Sequence, residues 1–409
     1  MTDRKILHSD ANCFFASVET VKNPDLKGKA VAVCGSVEER HGIVLAKSEI
    51  AKQAGVKTGM IVAEAKRLCP SIIIVHPHYD EYVKFSGYLR EIYGRYSQFI
   101  EPFGLDECWI DVTNSRRDAF SIAEEIRNVV KDELGLTVSI GVSFNKVYAK
   151  LGSDLKKPDA VTEITRENYK GKVFPLSCGD LLYCGKVTTK KLNAYGIYTI
   201  GDLANSDKEF CRKILGKNGE MLWEFANGND TSAVASENYR APMKSISHGV
   251  TCSADLLTND EVWRVMLEIS TELGQRLRNA NLRANGVQIT IRDDKLNFYQ
   301  MQCKIENAVT SSYIIAKKGY ELFCKTYDWK NNVRAVTLSA INLGENGFYE
   351  QEDMFGSLNK IDKIEKLEKT IDKINGKYGN KAVRSAVLYK DSKIPESADS
   401  RAGFHKSIK

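Results

Sequence analysis

The stretch Gly104-Leu105-Asp106-Glu107-Cys108-Trp109-Ile110-Asp111-Val112 decides how the rest of the chain is read. At a period of two, Leu105, Glu107, Trp109 and Asp111 share one face, and Asp106, Cys108, Ile110 and Val112 the other. Apolar residues on both faces predict a strand at the centre of a sheet. Two adjacent carboxylates are costly to bury there unless a cation neutralises them, so Asp106-Glu107 is a candidate metal site. Gly104 ahead of the pair is equally compatible with a hairpin turn in which the aspartate bonds locally, and the segment alone leaves both readings open.

A second carboxylate comes from the N-terminus. Ile6-Leu7-His8-Ser9-Asp10 predicts a first strand, and Ala11-Asn12-Cys13-Phe14-Phe15-Ala16-Ser17-Val18-Glu19 the start of a helix. Asp10 thus stands at a strand's end beside the amides of the following turn, a metal ligand next to an anion cradle. Taken by itself it is an ordinary helix cap. Paired with Asp106-Glu107, it could help grip two hard cations for phosphoryl transfer.

With both segments in view, His8–Glu19 resembles the first motif of the Y-family (translesion) DNA polymerases, and Leu105–Asp111 their second, acidic motif. Val142-Ser143-Phe144-Asn145-Lys146-Val147-Tyr148-Ala149-Lys150-Leu151-Gly152-Ser153-Asp154-Leu155-Lys156-Lys157-Pro158 resembles their third. Order and separation fit, and the likeness runs to about residue 390, with a Gram-positive flavour in Leu-Ala-Lys and Glu-Cys-Trp. It implies an α+β, multidomain right-hand polymerase. A ferredoxin-like palm spans 1–28 and 72–165, small fingers 29–71, and a helical thumb with a helix-hairpin-helix 166–230. A linker (231–243) leads to an α+β little finger (244–343) and a C-terminal tail (344–409).

The bulk properties agree. A chain of 409 residues is too long for one core. Its 43% hydrophobic and 27% charged residues describe a globular protein. No apolar run is long enough for a membrane span, and the N-terminus lacks a signal-peptide pattern. The ten cysteines are scattered without a CxxC pair, which argues against a zinc module or a secreted disulfide scaffold and for reduced thiols in the cytoplasm. A net charge of +6 is compatible with nucleic acid without requiring it.

The resemblance also assigns roles. Asp10, Asp106 and Glu107, with the carbonyl of Ala11, would hold two Mg²⁺. Amides around Cys13, Phe14 and Phe15 would cradle the triphosphate of a deoxynucleotide, with Lys52 and Lys157 adding charge, and Phe15 would be the steric gate against a 2′-hydroxyl. Primer-template DNA would meet Gly185, Lys186 and Thr188 of the thumb hairpin and Arg276, Arg278, Arg283 and Arg292 of the little finger. Gln351-Glu352-Asp353-Met354-Phe355 resembles a sliding-clamp docking peptide, with Gln351 orienting and Met354 and Phe355 anchoring. The product is a monomeric, low-fidelity polymerase without proofreading.

Two departures stand out. Many members carry tyrosine and arginine where this chain has Glu49 and Lys52; Glu49 is expected to turn away, toward Lys47 or Lys52. The first hairpin glycine is replaced by Tyr183. The alternatives are a non-catalytic DNA- and clamp-binding accessory protein that keeps the fold, or another palm enzyme such as a nucleotide cyclase, for which the hairpin and little finger have no purpose. Helices are expected over 79–96 (apolar face Tyr82, Phe85, Leu89, Ile92, Tyr93) and from a cap at Asn259-Asp260. A further, charged one is expected over 356–377, with Leu358, Ile361, Ile364, Leu367 and Ile371 at helical spacing.

Overall fold

The computed structural model describes residues 4–38, 40, 42–236, 239, 242–345, 357–379, 382–389 and 393–395. The expected clamp segment with Gln351, Met354 and Phe355 lies outside them. The chain forms two compact units, one holding 43–240 and the N-terminal 35 residues, the other 36–42 and 241–403.

In the first unit, β1 (Ile6–Ala11) is buried along its whole length and runs into α1 (Phe14–Lys22). Next come β2 (Val31–Cys34), β3 (Val44–Lys47), α2 (Glu49–Gln53), α3 (Val62–Leu68) and β4 (Ile73–Val75). These strands form a sheet of order β3-β2-β4, with β2 antiparallel to β3 and parallel to β4. Residues 73–75, read from sequence as the return to the palm, therefore finish the fingers sheet. The crossover packs Ala51, Val56, Val62 and Ala65 over Ala32 and Val44.

The larger sheet has the order β5-β6-β1-β7-β8. Between it run α4 (Tyr79–Gly94), β5 (Ile100–Pro102), β6 (Glu107–Asp111), α5 (Ala119–Leu134), β7 (Val138–Ser143), α6 (Lys146–Leu155) and β8 (Val161–Ile164). The sheet lies within the segments 1–28 and 72–165 that the sequence reading grouped together. The odd positions of β1 pack with α4 and α5, where Leu7, Ile110, Val138 and Ile140 join Leu89, Ile92, Ile122 and Ile126 in one core. The even positions, including His8 and Asp10, face α6. That helix lies unusually close to the strands: a Cβ built on Gly141 would stand 1.9 Å from the Ala149 carbonyl oxygen. Only glycine admits this approach.

A helical region follows, with α7 (Tyr169–Val173), α8 (Lys186–Asn193), α9 (Ile200–Asn205), α10 (Lys208–Leu215) and α11 (Lys217–Ala226). It is joined to α6 by one apolar core that includes Tyr148, Leu192, Leu203 and Leu222, and by the Tyr148 hydroxyl, which donates to the Ala226 carbonyl at 2.9 Å.

The second unit runs β9 (Ser245–Leu256), α12 (Asn259–Asn279), β10 (Leu282–Asp293), β11 (Phe298–Val309), α13 (Ser312–Thr326), β12 (Val333–Glu345) and α14 (Ser357–Tyr378). Its antiparallel sheet has the order β11-β10-β12-β9. The expected stripe Val262, Met266, Ile269, Leu273 and Leu277 is buried. The cap, however, is Thr258, whose side chain and Glu261 form a reciprocal capping box, one residue before the expected Asn259.

The inner face of α14 carries acidic residues beside the half-buried Ile361, Ile364 and Ile371. Glu365 and Asn375 are buried and Glu368 and Asp372 half-buried, whereas Leu367 is 60% exposed. Ile361 does reach the core. The reason is Arg278, whose guanidinium bonds Glu368 at 2.8 Å and Asp372 at 2.6 and 3.0 Å. Glu368 also accepts from the amides of Ser312 and Tyr313 at the start of α13, at 2.9 and 3.1 Å. Each inward carboxylate thus has hydrogen-bonding partners that make its burial tolerable.

Candidate active site

Antiparallel pairing places Asp10 directly opposite Glu107 and His8 opposite Trp109, so all four side chains share the face covered by α6. The Ala11 amide donates to the Asp106 carbonyl at 2.9 Å, which brings Asp106 to the same end. Both readings of the acidic segment hold in part: Gly104 to Asp106 is a bend, and the strand begins at Glu107.

The carboxylates hold two ammonium groups. Lys150 of α6 lies 2.9 Å from Glu107 and 3.4 Å from Asp10. Lys157 lies 2.8 Å from Asp10 and 2.8 Å from Asp154. Among the described residues no three His, Cys, Asp or Glu side chains form a ready-made metal cage; lysines stand where cationic charge is needed. That charge falls short of the demand. Burial outweighs Lys150 and pushes the Glu107 carboxyl up to about 7. Burial, then the neighbouring Asp10, also raises Asp106. Three carboxylates brought together at one end of β1 and β6 are hard oxygen donors of the kind a divalent cation takes, so the donor set fits the expected metal.

Behind the cluster His8 is fully buried, its Nδ1 2.9 Å from the Ser153 hydroxyl and its Nε2 3.7 Å from Glu107. Burial, with Lys150 and Lys157 nearby, drives its pKa well below the usual value and keeps the ring neutral.

Beside the carboxylates the chain enters α1 through Cys13, a non-glycine residue in the left-handed region (φ 51°), and no side chain caps the helix. Its first amides border a cavity of about 540 Å³ lined by Asp10 to Phe15, Asp106, Glu107, Lys157 and, from the fingers, Lys47, Glu49 and Lys52. Uncapped amides at a helix start favour an anion. Phe14 is buried, while the half-buried Phe15 also borders the cavity. Glu49 pairs with Lys52 at 3.1 Å and accepts from the Cys13 thiol at 3.5 Å. It binds the lysine as expected yet still borders the cavity.

The description "impB/mucB/samB family" fits residues 9–154, and that of the family's C-terminal domain fits residues 243–354. A DNA polymerase IV of Acetivibrio thermocellus is 46% identical over 95% of this chain and 98% of that protein. DNA polymerase IV 1 of Bacillus subtilis is 35% identical over 99% and 97%. The chain belongs to the impB/mucB/samB family, the Y-family DNA polymerases. A solved Y-family DNA polymerase chimera of Dbh and Dpo4 shares the fold, with a TM-score of 0.74 over 84% of this chain and all of that one, at 24% identity.

Gly185 begins α8 with Lys186 exposed and Thr188 half-buried beside it. Tyr183, at the missing glycine, has a φ of 67°, so the backbone keeps a glycine's conformation under a side chain. Arg292 lies on the open face of the little-finger sheet, across from Phe298 on β11. Arg276 is drawn to the Ser247 carbonyl at 2.9 Å. Arg278 and Arg283, expected on phosphate, are instead turned inward: Arg278 onto Glu368 and Asp372, Arg283 onto the Ala308 carbonyl at 2.7 Å and Glu365 at 3.4 Å. Sequence reasoning overlooked Lys150, although Lys150, Asp154 and Lys157 recur at i, i+4 and i+7, the spacing of one helix face.

Proposed function

We infer that this Y-family chain is a DNA-directed DNA polymerase that carries out translesion synthesis. The observation that carries the reading is the meeting of Asp10, Asp106 and Glu107 with the uncapped amides of α1 in one cavity. Two Mg²⁺ held by these carboxylates and the Ala11 carbonyl would activate the primer 3′-hydroxyl and neutralise the triphosphate. The amides of Cys13, Phe14 and Phe15 bind its β and γ phosphates, and Lys157 and Lys52 add charge. Phe15 lies under the sugar and excludes a 2′-hydroxyl. The 3′-oxygen attacks the α-phosphorus in line as pyrophosphate leaves.

Primer-template DNA is bound by Gly185, Lys186 and Thr188 at the hairpin, and by Arg292 with Arg276 on the little finger. Gln351, Met354 and Phe355 dock the sliding clamp, and the enzyme works as a cytoplasmic monomer. An accessory protein without catalysis has no use for three carboxylates and an anion cradle kept together. The test is primer extension on an undamaged template with Mg²⁺, comparing the wild type with Asp106→Ala. Extension by the wild type alone supports the reading; primer-template binding without extension by either refutes it.

A further inference from the structure

Glu19 closes the first motif, and nothing above gives it a role. It is 4% exposed and sits on α1 four residues after Phe15. Its carboxylate accepts a short hydrogen bond from the Tyr82 hydroxyl, and His78 Nδ1 faces it at 2.9 Å. The Tyr82 hydroxyl in turn accepts from the His78 backbone amide at 3.1 Å. A phenol that donates to one fixed group and accepts from another has its ring orientation set, and the Tyr82 side chain is fully buried.

Phe15 lies flat on that ring. The centroids are 4.1 Å apart and the planes differ by 10°. Tyr79 meets Phe15 edge-on at 6.3 Å and 90°, and Phe14 tilts against it at 5.8 Å. Phe15 therefore has the cavity on one side and a tethered aromatic on the other. A ring that excludes a hydroxyl by contact works only if it does not yield when the hydroxyl arrives. Packing alone lets an aromatic tilt, whereas a stack whose second ring is anchored by a charged acceptor resists it.

We propose that Glu19, acting through Tyr82, is a positioning residue that fixes the plane of Phe15 and so sets how strongly ribonucleotides are rejected. This rests on the reading of Phe15 as the sugar-excluding ring. Glu19 and Tyr82 need touch no substrate; their effect reaches the sugar through the stack. A purely structural pin between α1 and α4 would change stability and overall activity but leave the choice of sugar alone.

The experiment measures kcat/KM for single insertion of dGTP and of GTP opposite a template dC, using the full chain. The variants are Phe15→Ala, Tyr82→Phe, Glu19→Leu and Glu19→Gln. Tyr82→Phe keeps the ring and removes the tether, and Glu19→Gln keeps an acceptor for the hydroxyl. The expected result is a fall in sugar discrimination of about ten-fold for Tyr82→Phe and Glu19→Leu, ~1.4 kcal/mol, the size of one charge-assisted hydrogen bond. Glu19→Gln should stay within about two-fold of the wild type on the same scale. Wild-type discrimination in Tyr82→Phe, alongside its loss in Phe15→Ala, would overturn the proposal. If Phe15→Ala discriminates like the wild type, the gate reading itself fails and the proposal goes with it. Should Glu19→Leu not fold, Tyr82→Phe decides.

Discussion

Gly141→Ala should be far more harmful than its single methyl suggests. The new Cβ would stand 1.9 Å from the Ala149 carbonyl and 2.5 Å from the Ser153 amide, both backbone atoms in α6. No rotamer relieves such a clash. Ordinary contact begins at 3.4 Å, so α6 must retreat by about 1.5 Å. Lys150 travels with it, as does Ser153 beneath His8, so the ion pairs to Asp10 and Glu107 and the contact with His8 are disturbed. Overpacking of this kind destabilises by roughly 1–3 kcal/mol, and misplacement by about 1 Å at a reacting centre lowers turnover by about 100-fold. The assay is single-nucleotide insertion under saturating dNTP, together with a thermal melt and circular dichroism. A folded variant with a lowered Tm and kcat down by about two orders of magnitude is expected. A variant with wild-type kcat and Tm would refute the claim that the approach of α6 sets the site.

In metal-free enzyme, the raised Glu107 makes stability fall as pH rises. The unfolded carboxyl ionises near 4.5 while the folded one holds its proton to about 7, so the contribution is complete below 4.5 and gone above 7. Melts between pH 4.5 and 8 should show the decline, and added Mg²⁺ should lessen it at the upper end. Arg278→Met should cost about 3 kcal/mol in the second unit, because Glu368 and Asp372 lose their buried partner; replacing all three with apolar residues should recover much of it in denaturant titrations. Tyr183→Gly should raise stability by up to about 1 kcal/mol by relieving a side chain in the left-handed region. An unchanged or lowered midpoint would show that its contact with Phe225 outweighs the strain.

That Asp10, Asp106 and Glu107 come together was legible through the resemblance of their motifs, since the acidic segment alone left the strand and the turn both open. The ends of α5 rest on local chemistry: Asp118 accepts from the Ser121 amide, and Gly135 stops the helix in the left-handed region. What escaped depends on partners far away in the chain. The helical spacing of leucine and isoleucine along α14 gives no sign that Arg278, some ninety positions earlier, draws Glu368 and Asp372 inward. The parallel pairing of β4 with β2 is likewise nonlocal. The cap at Thr258 was a closer miss: Thr258 and Glu261 have the spacing of a capping box, but Asn259-Asp260 offered a competing signal. Tyr183 carries no local mark of its left-handed backbone.

The seating of α14 also bears on the timing of synthesis. The described residues of the first unit have all been made once residue 240 has left the ribosome. The second unit cannot neutralise Arg278 until Asp372 emerges, and Ile394 joins its core later still. Since domains fold as they appear, the polymerase half can be native while its companion still waits for its closing helix. A chain that stops near residue 345 would lack Glu368 and Asp372, and Arg278 would be left without its carboxylate partners.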